Sequence, residues 1–292
     1  MVTILLSGGL GNQMFQYAAA KAVAVRLHTS LVFDTYALDK KTQTTKRNFE
    51  LSVFDIDIEK RNTLKGKLLN KTYPYAQKYR KFFSVFGFYT DTLAIQYLPY
   101  IQEIKKGSVY MYGNFQNEKY FKEIESDIRR DFTFINPLTG KNFELYKKIK
   151  ATNSVAVHIR RGDYLSNKNA AANFVTCDRA YYEKAIEHIS RKIENPDIFI
   201  FSDDQEWVKE NLNFDNHSAT FVDWNKEEDS YIDMQMMSLC RHNVIANSSF
   251  SWWGAWLNPN PNKIVIAPDK WFLSEDKNKL LDDFYPKGWI KL

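Results

Sequence analysis

The sequence predicts an α/β protein built from two doubly wound domains, and three observations carry that prediction. Short apolar, β-branched runs alternate with alanine-rich or amphipathic stretches, the pattern of parallel strands joined by helices. Several of those runs end in glycine, serine, arginine or aspartate, so polar groups collect at the carboxyl ends of strands, where open α/β sheets bind ligands. The chain is 292 residues long, 44% hydrophobic and 15% aromatic, enough for two domains of ordinary size with a substantial core.

Taken in order, Val2 to Leu6 reads as a buried parallel strand. Gly8-Gly9-Leu10-Gly11-Asn12 follows as a loop whose glycines let a ligand approach the backbone. Gln13 to Leu27 reads as a helix and Ser30 to Asp34 as a second strand. Residues 40–108 are rich in lysine and tyrosine, with helical segments and no clear repeat. Ser108 to Tyr112 is a further strand, followed by a Gly113-Asn114 turn and a helix from about Asn117. The domain boundary is expected near residue 150, dividing the chain into 1–150 and 151–292. Beyond it, strands are expected at Val155–Val157, Ile198–Phe201, Ala219–Val222, Asn243–Ala246 and Lys263–Ile266. Helices are expected at Asp178–Ile193, Asp229–Leu239 and Phe250–Leu257. Two such domains facing a central cleft suit a two-substrate enzyme.

Composition narrows the function. The formal net charge of +5 is mild and spread among mixed-sign segments, with no recognisable nucleic-acid-binding module. The densest basic stretch, Lys60 to Lys81, reads as a solvated helical face, and a peripheral contact with an anionic surface is compatible with it. Cys177 and Cys240 have no metal-like spacing and form no disulfide framework, so a reducing compartment is the default. No apolar run approaches the roughly 18 to 20 residues of a membrane span, and the amino terminus lacks a signal-peptide pattern. The expectation is a soluble, cytoplasmic protein.

Four segments carry chemistry. His158-Ile159-Arg160-Arg161-Gly162-Asp163-Tyr164 follows a strand and delivers cations to a sheet edge, where arginine suits the paired oxygens of a diphosphate. An ion pair closing a turn is the plainer reading of Arg-Arg-Gly-Asp, and Asp163 is the nearest carboxylate able to orient the arginines. Ser7 to Gln13 combines backbone access with amide side chains at a helix start, without the Gly-Lys-Ser/Thr of a P-loop. Ser202-Asp203-Asp204 ends a strand, where one aspartate can cap the next helix and the other can bind a guanine edge or a ribose hydroxyl. Asn247-Ser248-Ser249-Phe250 opens a helix whose serines and backbone N–H groups suit phosphate. The tryptophans after it read as packing residues. Asp55-Ile56-Asp57 matches the Asp-x-Asp metal site of some sugar-nucleotide enzymes, but a structural loop is favoured, and no metal-ligand cluster is apparent elsewhere.

Together these segments resemble the α-1,2-fucosyltransferases, family 11 of the inverting glycosyltransferases. The anchors are residues 8–17, 113–121, 158–164 and 245–257, four motifs in the right order that span nearly the whole chain. The resemblance implies a two-domain GT-B-like fold with GDP-β-L-fucose as donor. It implies transfer to the 2-hydroxyl of a terminal galactose, with inversion and no required metal or cofactor. On that basis residues 1–150 form the acceptor side and residues 151–292 the Rossmann-like donor domain. His158 and Arg160 would contact the nucleotide and its diphosphate, Asp203 or Asp204 the guanine or ribose, and Ser248, Ser249 and Phe250 the phosphates. Gly11 and Asn12 would approach the diphosphate and fucose.

Arg160 is the expected stabiliser of the departing GDP, with Asp163 beside it as a catalytic carboxylate or an orienting one. The glutamate that α-1,6-fucosyltransferases carry ten positions after the motif histidine is Lys168 here, so that role does not transfer. Asp34 and Glu118 are weaker candidates for a base, and a dissociative route needs little base assistance. Two other readings stand beside this one, a glycosyltransferase for another GDP-sugar and a non-catalytic GDP-sugar or glycan-binding protein. The acceptor is open among lactose, N-acetyllactosamine and a bacterial polysaccharide intermediate.

Overall fold

The computed structural model describes residues 1–38, 48–57, 59–63, 66–68, 75, 77–91, 95–105, 107–162, 168–214 and 216–292. They form two compact units: Met1–Ile135 with Asp282–Tyr285, and Asn136–Leu281 with Pro286–Leu292. The helix Gly140–Ala151, which the sequence division near 150 assigns to the first domain, belongs to the second unit.

The first unit holds a parallel five-stranded sheet. Its strands are β1 (Val2–Leu5), β2 (Leu31–Asp34), β3 (Lys60–Arg61), β4 (Phe88–Thr90) and β5 (Val109–Tyr112), in the order β3-β2-β1-β5-β4. β1 is central and fully buried, as its unbroken apolar run requires. The helix Leu10–Arg26 covers it with Met14, Phe15, Ala18 and Ala19. The chain runs outward from β1 through β2 to β3, then resumes on the other side with β4 and β5. The order therefore reverses between β1 and β5, which makes that crevice the switch point of this sheet.

β3 and β4 were not expected from the sequence: they are two and three residues long, too short to show a period. The helix expected from Asn117 begins instead as two 3-10 turns, Glu118–Tyr120 and Lys122–Ile124, before the α-helix Glu125–Asp131. The buried Asn117 side chain explains much of this local path. Its Oδ1 accepts from Lys119 N at 3.0 Å, and its Nδ2 donates to Ile95 O at 3.2 Å and to Asp283 O at 2.9 Å. One amide thus closes the turn and fastens segment 282–285 to the first unit. Asn117→Ala leaves one buried and two partly buried backbone groups without this partner and is expected to cost about 2 kcal/mol, measurable by denaturant unfolding.

The second unit holds a parallel six-stranded sheet, β11-β10-β9-β6-β7-β8. Its strands are β6 (Asn153–Ile159), β7 (Pro196–Ser202), β8 (Ala219–Val222), β9 (His242–Val244), β10 (Val265–Ala267) and β11 (Ile290–Lys291). Val155, Val157, Ile159, Ile198 and Ile200 pack with Tyr182, Ala185 and Ile189 of the helix Arg179–Ser190. The helix Ser249–Leu257 buries Trp252, Trp253 and Trp256 and packs on the helix Tyr231–Leu239. Gly254 allows that approach, since a Cβ there would lie 3.0 Å from Met237 Cβ. The tryptophans are therefore core residues. The chain moves from β6 through β7 to β8, then crosses back to β9 on the other side of β6, so the switch point lies between β6 and β9.

Candidate active site

The second unit gathers three of the four sequence motifs at one sheet edge. The register pairs His158 with Phe201 and Ile159 with Ser202, so Arg160 and Asp203 follow directly at the ends of neighbouring strands. One Arg160 guanidinium nitrogen lies 2.9 Å from Asp203 Oδ2. The same carboxylate accepts from the backbone N–H of Arg161 at 2.9 Å and of Gly162 at 3.1 Å. Asp203 thus fixes both the loop after β6 and the first arginine that leaves it. A Cβ on residue 162 would sit 3.0 Å from Asp203 Oδ2, which accounts for glycine there.

Asp204 has a different task. Its side chain caps the helix Gln205–Asn211 by accepting from Trp207 N at 3.1 Å, and it lies 3.4 Å from Arg161 Nε. Arg161 also stacks over the Trp207 ring at 3.9 Å. The two arginines are therefore unlike: Arg161 is tied into the protein between a carboxylate and a ring, and Arg160 is held at the strand end by Asp203. Asp163 and Tyr164 lie outside the described residues.

His158 is buried, and its ring meets that of Phe250 at 5.8 Å. Burial, together with the charge of Arg160, pushes its pKa down to about 3. The imidazole is neutral near pH 7, so it is able to hydrogen-bond and pack but carries no charge. Its Nδ1 is buried with no hydrogen-bond partner among the described residues. Ser248 caps the helix Ser249–Leu257 by accepting from Phe250 N at 3.3 Å, and Ser249 opens it. The preceding Asn247 is buried and donates to Val175 O at 2.5 Å and Trp271 O at 3.1 Å. His158, Arg160, Ser248, Ser249 and Phe250 thus sit at the strand ends on the two sides of the β6/β9 switch point, with partial positive charge from a helix amino terminus beside a guanidinium. This arrangement suits an anionic diphosphate.

The first unit builds its own switch point from amides. Gln116 Nε2 donates to Asn12 Oδ1 at 2.7 Å, and Gln16 Nε2 donates to Ser7 Oγ at 3.0 Å and to Asn114 Oδ1 at 3.4 Å. Asp91, buried at the end of β4, accepts from Asn114 N at 2.7 Å and Phe115 N at 3.1 Å and so holds the loop after β5. Gly8 has φ +76°, and a Cβ there would meet Asn12 Nδ2 at 2.4 Å. Gln13 is buried: it donates to Gly8 O at 2.9 Å and Asn48 O at 2.8 Å and accepts from Glu50 N at 3.0 Å. The helix start expected to attract anions already has one at Leu10, whose N–H donates to Glu50 Oε2 at 2.9 Å. Gly11 lies buried in the first turn of that helix.

Asp34, considered from sequence as a base, is buried. It accepts from Tyr36 N at 3.0 Å, from the Tyr110 hydroxyl at 2.6 Å and from the Thr63 hydroxyl. Its carboxylate is committed to holding the loops after β2 and β3. Glu118 pairs with Lys122 at 3.4 Å. Asp55 and Asp57 are exposed, and among the described residues no three metal-ligating side chains come together.

One carboxyl group escaped the sequence reading. Asp233, in the first turn of the helix Tyr231–Leu239, accepts from Asn225 Nδ2 at 2.8 Å. Asn225 is in turn paired with Asn142, which accepts from Trp224 Nε1 at 2.8 Å. Burial pushes the Asp233 pKa up to about 7, against the pull of Asn225. The folded protein therefore binds this proton more tightly than the unfolded chain, whose aspartate pKa is about 3.9. The stability penalty is absent below pH 4, grows by up to about 1.4 kcal/mol per pH unit, and is complete above pH 7. Asp233→Asn, which keeps an acceptor for Asn225, is expected to melt above the parent at pH 8, with the gap narrowing toward pH 5.

Parallel-sheet units with polar groups at their switch points are compatible with a nucleotide-sugar transferase, and the sequence comparison makes this chain a glycosyltransferase. The chain belongs to glycosyl transferase family 11, whose sequence pattern matches residues 1–292. It is 38% identical over 296 residues to an α-1,2-colitosyltransferase of Escherichia coli, covering 100% of this chain and 99% of that protein. It is 27% identical over 145 residues to human galactoside α-(1,2)-fucosyltransferase 1, covering 47% of this chain and 40% of the human protein. In fold it is similar to the fucosyltransferase NodZ from Bradyrhizobium, with a TM-score of 0.53 at 13% identity, covering 87% of this chain and 91% of that one. The two parallel-sheet units are thus those of a GT-B-like fucosyltransferase fold. Among the described residues no helix is long and apolar enough to cross a membrane.

Proposed function

We propose that this enzyme transfers L-fucose from GDP-β-L-fucose to the 2-hydroxyl of a terminal galactose, forming an α-linkage with inversion. The observation that carries the reading is the Arg160 guanidinium, held by Asp203 beside the Ser248–Phe250 helix start at the β6/β9 switch point. In the reaction the bond between fucose C1 and the β-phosphate oxygen breaks, and its electron pair leaves with GDP. The galactose 2-oxygen bonds to C1 from the opposite face and releases its proton to water, as a dissociative route with little base assistance allows. Positive charge grows on the sugar and negative charge on GDP, and Arg160 stabilises the latter without reorganisation. Ser248, Ser249 and the helix N–H groups share the phosphate oxygens. His158, neutral and with Nδ1 unpartnered among the described residues, contributes a hydrogen bond and no charge. Asp203 acts mainly by positioning Arg160, and Asp204 by capping its helix.

The paired amides of the first unit, Asn12 with Gln116 and Gln16 with Asn114, suit sugar hydroxyls because each carboxamide both donates and accepts. No step is assigned to a metal, since the guanidinium supplies the charge stabilisation a metal would give. A chelator is expected to leave turnover unchanged.

A second donor is favoured by one observation, the full-length similarity to a colitosyltransferase. Colitose is fucose without its 3-hydroxyl, so the two readings differ at one hydrogen-bonding group. A site that bonds that hydroxyl rejects the deoxy donor by a large factor, whereas an apolar pocket discriminates weakly. Comparing kcat/KM for GDP-fucose and its 3-deoxy counterpart on one galactoside tests the assignment. Preference for GDP-fucose supports it, and preference for the deoxy donor replaces fucose with colitose.

A further inference from the structure

The segment before β4 has no place in the chemistry described above. From Lys60 to Thr90 the sequence contains eight lysines and arginines and no aspartate or glutamate. Of the eleven large apolar side chains that stand exposed among the described residues, six fall in this same stretch: Leu68, Tyr75, Tyr79, Phe82, Val85 and Phe86. Val85 is 80% exposed, and Phe82 and Phe86 are each 62% exposed. The helix Arg80–Val85 is rich in apolar residues yet buries none of them. Directly after it, Phe88 packs against the sheet. The chain therefore reaches the core at Phe88 and leaves the preceding aromatics outside.

Exposed apolar side chains clustered so closely are unusual on a protein surface and mark a contact. Phe82 and Phe86 meet edge to face at 5.2 Å, and Lys78 Nζ lies 5.4 Å from the centre of the Tyr79 ring. The cations Lys67, Lys78 and Lys81 are exposed on the same stretch. Aromatic rings that seat at headgroup depth, ringed by lysine and arginine, form the composition of a membrane-surface anchor. We propose that the surface around the helix Arg80–Val85 docks this enzyme on an anionic lipid bilayer, with Phe82, Val85 and Phe86 entering the interface and Lys78, Arg80 and Lys81 facing lipid phosphates.

Charge decides between occupants. A second copy seated on the same face would set two acid-free basic segments against each other. A nucleic acid would stack on the rings but has no use for Leu68 or Val85. An anionic bilayer satisfies both the cations and the aliphatic groups. Lipid docking of this surface is independent of which sugar the enzyme transfers.

The test is co-sedimentation of the full chain with vesicles of phosphatidylglycerol and phosphatidylethanolamine, and with vesicles of phosphatidylcholine alone. Pelleting with the first and not the second, weakened by salt, is expected. Lys78→Gln/Arg80→Gln/Lys81→Gln should lower the partition coefficient by about fivefold per cation removed. Phe82→Ser/Val85→Ser/Phe86→Ser should lower it by at least tenfold. Both variants change residues outside the active site, Arg80 half-buried and the others exposed, and should turn over a soluble galactoside at the parent rate, which also reports that they fold. Absence of pelleting with anionic vesicles overturns the proposal. So does equal pelleting of parent and both variants, or a dimer in solution that the phenylalanine variant breaks while vesicles leave the parent in the supernatant.

Discussion

Arg160→Ala is expected to lower kcat about a thousandfold while shifting stability by no more than about 1 kcal/mol. The first figure follows from removing a fixed charge that faces the leaving group, where single donors are worth a hundred- to a thousandfold and a guanidinium on phosphate more. The second follows from the local geometry. Without Arg160, Asp203 still accepts two backbone N–H groups, and the pair it loses is only partly buried. Arg160→Lys should be almost as damaging, because a single ammonium cannot bond Asp203 and a phosphate oxygen in one plane. Steady-state kinetics with GDP-fucose, beside a thermal melt, checks both halves. Near-parent turnover in the alanine variant would remove Arg160 from the mechanism.

Replacing Asp203 should separate positioning from folding. Asp203→Ala leaves two solvent-accessible backbone donors to water and frees the guanidinium, so a loss of about 1–2 kcal/mol is expected, together with a turnover loss of roughly a hundredfold from a misplaced Arg160. Asp203→Asn keeps an oxygen for one of the two backbone donors and sets its NH2 against the other and Arg160. It should recover much of the melting temperature and little of kcat. Full recovery of both would show that Asp203 serves only the loop. GDP binding should weaken less than kcat falls, because the arginine matters most when charge develops.

What the sequence could disclose is explained by where the information sits. β1, β6 and β7 are parallel strands buried on both faces, so their unbroken apolar runs are local signals, and the glycine, arginine and serine that end them lie within a few residues. β3, β4 and β11 span two or three residues each and leave no periodic trace. The return of residues 282–285 to the first unit depends on Asn117 and Asp283, far apart in the chain. No local pattern encodes that.

The same distinction runs through the site. His158, Arg160, Ser248, Ser249 and Phe250 were legible as types suited to a diphosphate. Their relationships were not. Asp203 holds Arg160 because the β6/β7 register pairs Ile159 with Ser202, and register is a property of the assembled sheet. The neutrality of His158 comes from burial and a neighbouring charge. Glu50 occupies the first N–H of the glycine-loop helix from forty residues away. Asp233 carries no local signal, because an aspartate in a first helical turn is ordinary and its displaced pKa arises from burial.

The central claim, that this family 11 chain makes an α-1,2-fucosyl linkage with an arginine-stabilised leaving group, is tested most directly by one product analysis. The protein is incubated with GDP-fucose and lactose in excess chelator, and the linkage and anomeric configuration of the product are determined by NMR. The account predicts GDP release that depends on acceptor and a single product carrying fucose α-linked to the galactose 2-oxygen. A β-linked or differently placed fucose, turnover abolished by the chelator, or tight GDP-fucose binding with no transfer to any galactose-terminated acceptor would contradict it.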